Sequence, residues 1–138
     1  MIKAFSILLV EDDLVDVMAV KRAFRDLNVP NPLHVAGNGE EALKFLRETQ
    51  PMPGLILLDL NMPRMNGIDF LKVVKGDAHL RRIPVVVLTT SKGQSDRSET
   101  FNLGVAGYMV KGVEYAEFIE VVKSIHNYWS MSQLPPLS

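Results

Sequence analysis

The sequence predicts an α/β fold in which five strand–helix units, (βα)5, build a doubly wound parallel sheet. Three observations predict it. Short apolar runs alternate with amphipathic stretches along the whole chain. The runs are apolar at successive positions, as in Leu55-Ile56-Leu57-Leu58 and Val85-Val86-Val87-Leu88. Such runs mark strands covered on both faces by helices, not half-exposed strands with alternating character. Finally, the runs end on polar residues, Glu11-Asp12, Asp59 and Thr89. The carboxyl ends of strands are where ligands gather in sheets of this kind.

Ser6 to Val10 is predicted as the first strand. A helix follows from Leu14 to Leu27, with Val17, Val20, Phe24 and Leu27 at helical spacing and Asp12 or Asp13 as its N-cap. The two prolines in Asn28 to Pro32 end it. Leu33 to Ala36 forms a second strand, and Gly39 to Arg47 a helix with Ala42, Leu43 and Leu46 inward. Pro51, Pro53 and Gly54 mark a loop before the third strand, Leu55 to Asp59. Asn61 to Gly67 is a loop, followed by a helix carrying Phe70, Leu71 and Val74. Pro84 introduces the fourth strand, Val85 to Thr89. Ser91 to Ser95 is polar, and a short helix then reaches Leu103, with Gly104 as its C-cap. Gly107 to Val110 is the fifth strand, in which Tyr108 reads as a core residue. Phe118, Ile119, Val122, Ile125 and Trp129 belong to a last helix. Crossovers between parallel strands are expected to be right-handed.

A single domain over residues 1–138 is expected, with no output domain and a short tail at 130–138. A chain of this length buries roughly 68–70% of its unfolded surface, enough for one core. The net charge of −1 provides no basic field for nucleic acid. With no cysteine, disulfides and thiolate metal sites are excluded, and a reducing compartment fits. No apolar stretch reaches the ~18 residues that span a bilayer. Met1 to Phe5 run directly into the first strand and leave no room for a signal peptide. A cytoplasmic protein without membrane contact is expected.

Glu11, Asp12 and Asp59 end two apolar runs, where an unpartnered carboxylate is unfavourable. Gathered together, their mutual repulsion raises pKa values unless a cation joins them. An all-oxygen ligand set with room for water suits Mg²⁺. Such a site would neutralise an incoming phosphoryl group and leave one carboxylate to attack it, forming an acyl phosphate. Lys111 offers a positive charge and Thr89 a hydroxyl. Taken singly, each of these residues has an ordinary explanation: a helix cap, a β-branched strand residue, a surface lysine. Their combination at strand ends points to phosphorylation of one aspartate.

Four segments in order then identify a family. They are Glu11-Asp12 after Ile7 to Val10; Asp59 with Met62-Pro63-Arg64-Met65-Asn66-Gly67; Pro84 to Thr89-Thr90-Ser91; and Gly104-Val105-Ala106-Gly107-Tyr108 leading to Lys111. The chain resembles the receiver domains of two-component response regulators over nearly its whole length. The flavodoxin-like strand order 2-1-3-4-5 is carried over from that resemblance. The resemblance implies that Asp59 is the phosphoacceptor and Asp12 the direct Mg²⁺ ligand. Glu11 would bind through water, with Asp59 and the Asn61 backbone carbonyl completing the ligands. It implies that Thr89, Thr90 and Lys111 hold phosphoryl oxygens and that Tyr108 is the switch aromatic. Asn61 and Ser91 stand where the family tunes phosphoryl lifetime. Shifting a two-state equilibrium from 1:99 to 99:1 takes ~5.5 kcal/mol. Two hydrogen bonds to a charged group, at roughly 1.5–3 kcal/mol each, just supply it.

The family usually has proline after the lysine, often as a cis peptide; here it is Gly112. A cis bond before a non-proline residue costs ~2.5–4 kcal/mol, so a trans Lys111–Gly112 bond or a reshaped loop is expected. The tail around Tyr128-Trp129 and Leu134-Pro135-Pro136, with Asn31-Pro32 and Arg81-Arg82-Ile83-Pro84, resembles small stand-alone regulators paired with bacterial phytochrome-type histidine kinases. The resemblance implies a sensor histidine kinase as partner. It also allows a homodimer through the face of the fourth helix, fifth strand and fifth helix, which Trp129 would extend or pack beneath. Autophosphorylation and autodephosphorylation would then be the chain's own chemistry, not turnover of a substrate. Two other classes share parts of this pattern. A haloacid dehalogenase-type hydrolase also uses an aspartyl nucleophile, but wants a second aspartate where Asn61 stands and its nucleophile on the first strand. A degenerate receiver would bind partners without phosphorylation, against which the acids, Thr89 and Lys111 all speak.

Overall fold

A computed structural model describes residues 5–62, 65–90, 93–111 and 115–131. Ser91, Gly112 and the tail beyond Met131 lie outside the described residues, and with them the readings of phosphoryl lifetime at Ser91, of the Lys111–Gly112 bond and of the tail. Among the described residues the strands are β1 (Ile7–Val10), β2 (Leu33–Ala36), β3 (Leu55–Leu58), β4 (Val85–Thr89) and β5 (Gly107–Val110). The helices are α1 (Leu14–Asp26), α2 (Gly39–Glu48), α3 (Gly67–Gly76), α4 (Gln94–Asn102) and α5 (Tyr115–Met131). The strands form one parallel sheet in the order β2-β1-β3-β4-β5, as the resemblance implies.

Alternation along the strands divides the core in two. Leu8, Val10, Ile56, Leu58, Val85 and Val87 face one side and pack with Phe70, Leu71 and Leu46 of α3 and α2. Ile7, Leu9, Leu55, Leu57, Val86 and Leu88 face the other, against Val17, Val20 and Phe24 of α1 and Phe118, Val122 and Ile125 of α5. β1, β3 and β4 are buried at every position. The edge strands are not: β2 is partly exposed and β5 is half-buried throughout. Tyr108 on β5 is accordingly half-buried and packs at the margin of the core. Trp129 packs against its own domain, on the α1/α5 side, while Tyr128 and Met131 are exposed.

Side-chain caps fix where three helices start. The Asp13 carboxylate accepts from the amides of Val15 and Asp16, Asn38 accepts from Glu41, and Asn66 accepts from Asp69. Of the two cap choices for α1, Asp13 is the one used. A 3₁₀ turn at Leu80–Arg82, not predicted from the sequence, is set by Asp77, whose carboxylate accepts from the amides of His79 and Leu80. Those two bonds hold its pKa below the usual value. α4 begins at Gln94, earlier than its polar sequence predicts, and Thr100 is its one buried residue. It ends in a Schellman motif: Val105 donates to the Thr100 carbonyl and Gly104 to the Phe101 carbonyl, with Gly104 at φ +88°.

Gly67 opens α3 directly over the end of β3. A Cβ there would lie 2.5 Å from the Asp59 carbonyl oxygen and 2.6 Å from the Leu60 Cα. Backbone cannot retreat as a flexible side chain can, so Gly67→Ala is expected to destabilise the domain by about 2 kcal/mol or more in urea unfolding. Gly76→Ala, with nothing within 4 Å, should be neutral or stabilise by up to about 1 kcal/mol. Equal midpoints for the two variants would show that this close approach carries no energetic weight.

Candidate functional site

In-register parallel pairing aligns the carboxyl ends of the strands. Val10 pairs with Leu58, so Glu11 and Asp59 leave adjacent strands at one level. The Asp59 amide donates to the Val10 carbonyl at 3.0 Å, and the Glu11 amide to the Ala36 carbonyl at 2.9 Å. Asp12 follows at the surface. Carboxylate oxygens of Glu11, Asp12 and Asp59 all lie within 4.8 Å of one another. Glu11 and Asp59 are buried, while Asp12 is exposed. The Asn61 amide points back at Asp59 Oδ1, at 3.5 Å.

Lys111 arrives from the far edge of the sheet. Its amide donates to the Thr89 carbonyl at 2.8 Å, which fixes where β5 ends relative to β4. Its side chain is only 6% exposed, so it is no surface lysine. The ammonium donates to Glu11 Oε1 and, at 2.8 Å, to Asp16 Oδ2 on α1. The other Glu11 oxygen accepts from the Asp13 amide at 3.3 Å. Thr89 is fully buried at the end of β4, and Thr90 beside it is exposed. Tyr108 pairs with Val87, so by strand alternation it shares a face with Thr89. The Arg97 guanidinium sits 5.5 Å from the Tyr108 ring centre, and Phe101 lies 6.4 Å away.

The structure therefore brings together Glu11, Asp12, Asp59 and Lys111, with Asn61 against Asp59 and Thr89 and Thr90 on the same rim. Tyr108 stands one strand over, beside α4. Asp16 is the participant that sequence reasoning missed. The available signal was its place one helical turn beyond Asp12, which carries a first-turn acid of α1 toward the strand ends.

Burial pushes the Glu11 carboxyl up to about 7; the bond from Lys111 pulls it down, and the neighbouring Asp59 carboxyl adds to the rise. Burial also opposes the charge on Lys111, but the bonds to Asp16 and Glu11 outweigh it and hold the ammonium above its ordinary pKa. The donor set is three carboxylates within reach of one point, all hard oxygen ligands, which fits a divalent cation.

This sheet, with carboxylates and a lysine at its carboxyl ends, has the architecture of a signalling receiver. The chain belongs to the response regulator receiver domain family, whose model matches residues 7–123. It is 36% identical over 128 residues to the response regulator Rcp1 of Synechocystis sp., covering 89% of this chain and 87% of that protein. It is 35% identical to the probable methanogenesis regulatory protein FilR2 of Methanothrix harundinacea, covering 91% and 83%. Among solved structures, the phosphorylated cyanobacterial phytochrome response regulator RcpA superposes with a TM-score of 0.91 at 34% identity, covering 97% of this chain and all of that one. The Mn²⁺-bound form of Rcp1 superposes at 0.88 with 34% identity, covering 96% and 99%. The chain is thus a receiver domain of a two-component response regulator. Among the described residues no helix is long and apolar enough to cross a membrane.

The raised Glu11 pKa sets a pH dependence. The folded chain binds the Glu11 proton more tightly than the unfolded chain, whose value is near 4.5. The stability this contributes is present below about pH 4.5 and is lost as pH rises through about 7. In metal-free buffer, Glu11→Gln should therefore gain stability relative to the natural chain between pH 5 and pH 8. Urea midpoints compared across that range check it, and a constant difference would refute it.

Proposed function

We propose that this receiver accepts a phosphoryl group on Asp59 from a histidine kinase, in a Mg²⁺-dependent reaction, and thereby switches its contacts with other proteins. The observation that carries this reading is the group of Glu11, Asp12 and Asp59 carboxylates within 4.8 Å, with the buried Lys111 ammonium on Glu11. Glu11, Asp12, Asp59 and the Asn61 carbonyl would hold the cation, which when bound neutralises charge on the carboxylates and on the phosphoryl oxygens.

An Asp59 oxygen attacks phosphorus as the N–P bond of a phosphohistidine breaks; an O–P bond forms, and the electron pair returns to the departing imidazole. Lys111 and the hydroxyls of Thr89 and Thr90 take up phosphoryl oxygens. Movement of Thr89 toward the phosphoryl group vacates space on the face it shares with Tyr108, and the ring follows. Asn61 and Ser91 would tune the lifetime of the phosphoryl group. Similarity to the phytochrome response regulator RcpA supports a phytochrome-type kinase as the donor, and such a kinase would act on this chain in the cytoplasm. The exposed Phe101, Tyr128 and Met131 on α4 and α5 support a homodimer through the α4, β5 and α5 face.

Incubation with acetyl phosphate and Mg²⁺ should add the mass of one phosphoryl group, and Asp59→Asn should abolish it. Equal incorporation in the variant would overturn the assignment. No incorporation in the natural chain, with partner binding retained, would establish a receiver that works without phosphorylation.

A further inference from the structure

Lys111 is shared between two carboxylates of different standing. Glu11 stands beside Asp59 and belongs to the group that converges within 4.8 Å, whereas Asp16 lies outside it on the first turn of α1. Yet Asp16 Oδ2 lies 2.8 Å from the Lys111 Nζ, a charge-assisted hydrogen bond on a side chain only 6% exposed. Asp16 itself is 34% exposed, so burial does not force it to find this partner.

An ammonium has three N–H donors but a single charge. With two carboxylates already on Lys111, a phosphoryl group on Asp59 becomes the third anion to draw on it. Two anions on either side of one ammonium lie within about 6 Å of each other and repel.

We propose that Asp16 is a positioning residue that restrains Lys111, withholding part of its charge from the phosphoryl group and so setting how firmly the phosphorylated state is held. The inference rests on Asp59 being the acceptor. It assigns α1 a part in the switch through charge alone, because Asn at this position keeps an oxygen to accept the lysine proton and removes only the charge.

The test is titration of beryllofluoride, a phosphoryl mimic, at saturating Mg²⁺, followed by backbone NMR of Thr89 and Tyr108. Asp16→Asn should bind about tenfold more tightly than the natural chain, and Asp16→Glu should return to the natural affinity. Equal or weaker binding by Asp16→Asn overturns the inference, as does an Asp16→Glu chain that binds as tightly as Asp16→Asn. Asp59→Asn is the control. If the natural chain binds no more beryllofluoride than that control does, the acceptor assignment falls and this inference with it.

Discussion

Glu11 is a carboxylate at 2% exposure, and the site is built around satisfying it. A buried acid needs a cation or several donors. Its partner comes from 100 residues away in sequence. In the order β2-β1-β3-β4-β5, the bond from Lys111 to Glu11 passes over the ends of β3 and β4. Those are the strands that lead into Asp59 and Thr89. One ion pair therefore links the ends of β1 and β5 across the strands that carry the other polar residues. The fold supplies the precondition: strands paired in register and in parallel, so that their last residues stand at one level.

The pocket is more than three like charges. Lys111 supplies an internal cation, and the Asp13 amide supplies a donor, so each Glu11 oxygen already accepts a bond. Among the described residues no buried side-chain nitrogen or oxygen lacks a partner. A divalent ion bound as proposed would meet a Glu11 carboxylate already engaged. The same lysine is shared with Asp16, and in the proposed reaction it would also face the phosphoryl group. In the proposed reaction, charge in this pocket would be redistributed, because the lysine is already bonded there.

Much of this was legible in the sequence, for identifiable reasons. β1, β3 and β4 are continuous apolar runs because both their faces are covered, and that pattern has few alternatives. The edge strands carry a weaker signal, since β5 is half-buried along its length and Tyr108 consequently lies at the core margin. The 3₁₀ turn depends on a local carboxylate at Asp77, which hydrophobic periodicity does not register. α4 has almost no apolar face, so its start could not be read from spacing. In the site, the acids announced themselves by ending apolar runs. Lys111 alone reads as a surface lysine, and only the tertiary fold buries it. Asp16 is harder still, because its partner is 95 residues distant and its own helix gives it an ordinary role as a first-turn acid.

The construction of α4 has a consequence of its own. The other helices are fastened by several buried aliphatic or aromatic side chains, whereas this one inserts a single threonine into the interior. Its anchorage includes peripheral contacts: Phe101 and the Arg97 guanidinium against Tyr108, and Lys72 of α3 reaching Glu99 at 3.7 Å. An element secured at its margin sits at the low end of local unfolding free energies. Tyr108 is thus less a passenger of the helix than its mooring. If the ring turns as proposed, it would loosen the attachment of that surface, so a rearrangement of a few atoms at a strand end would be passed outward without disturbing the sheet that carries it.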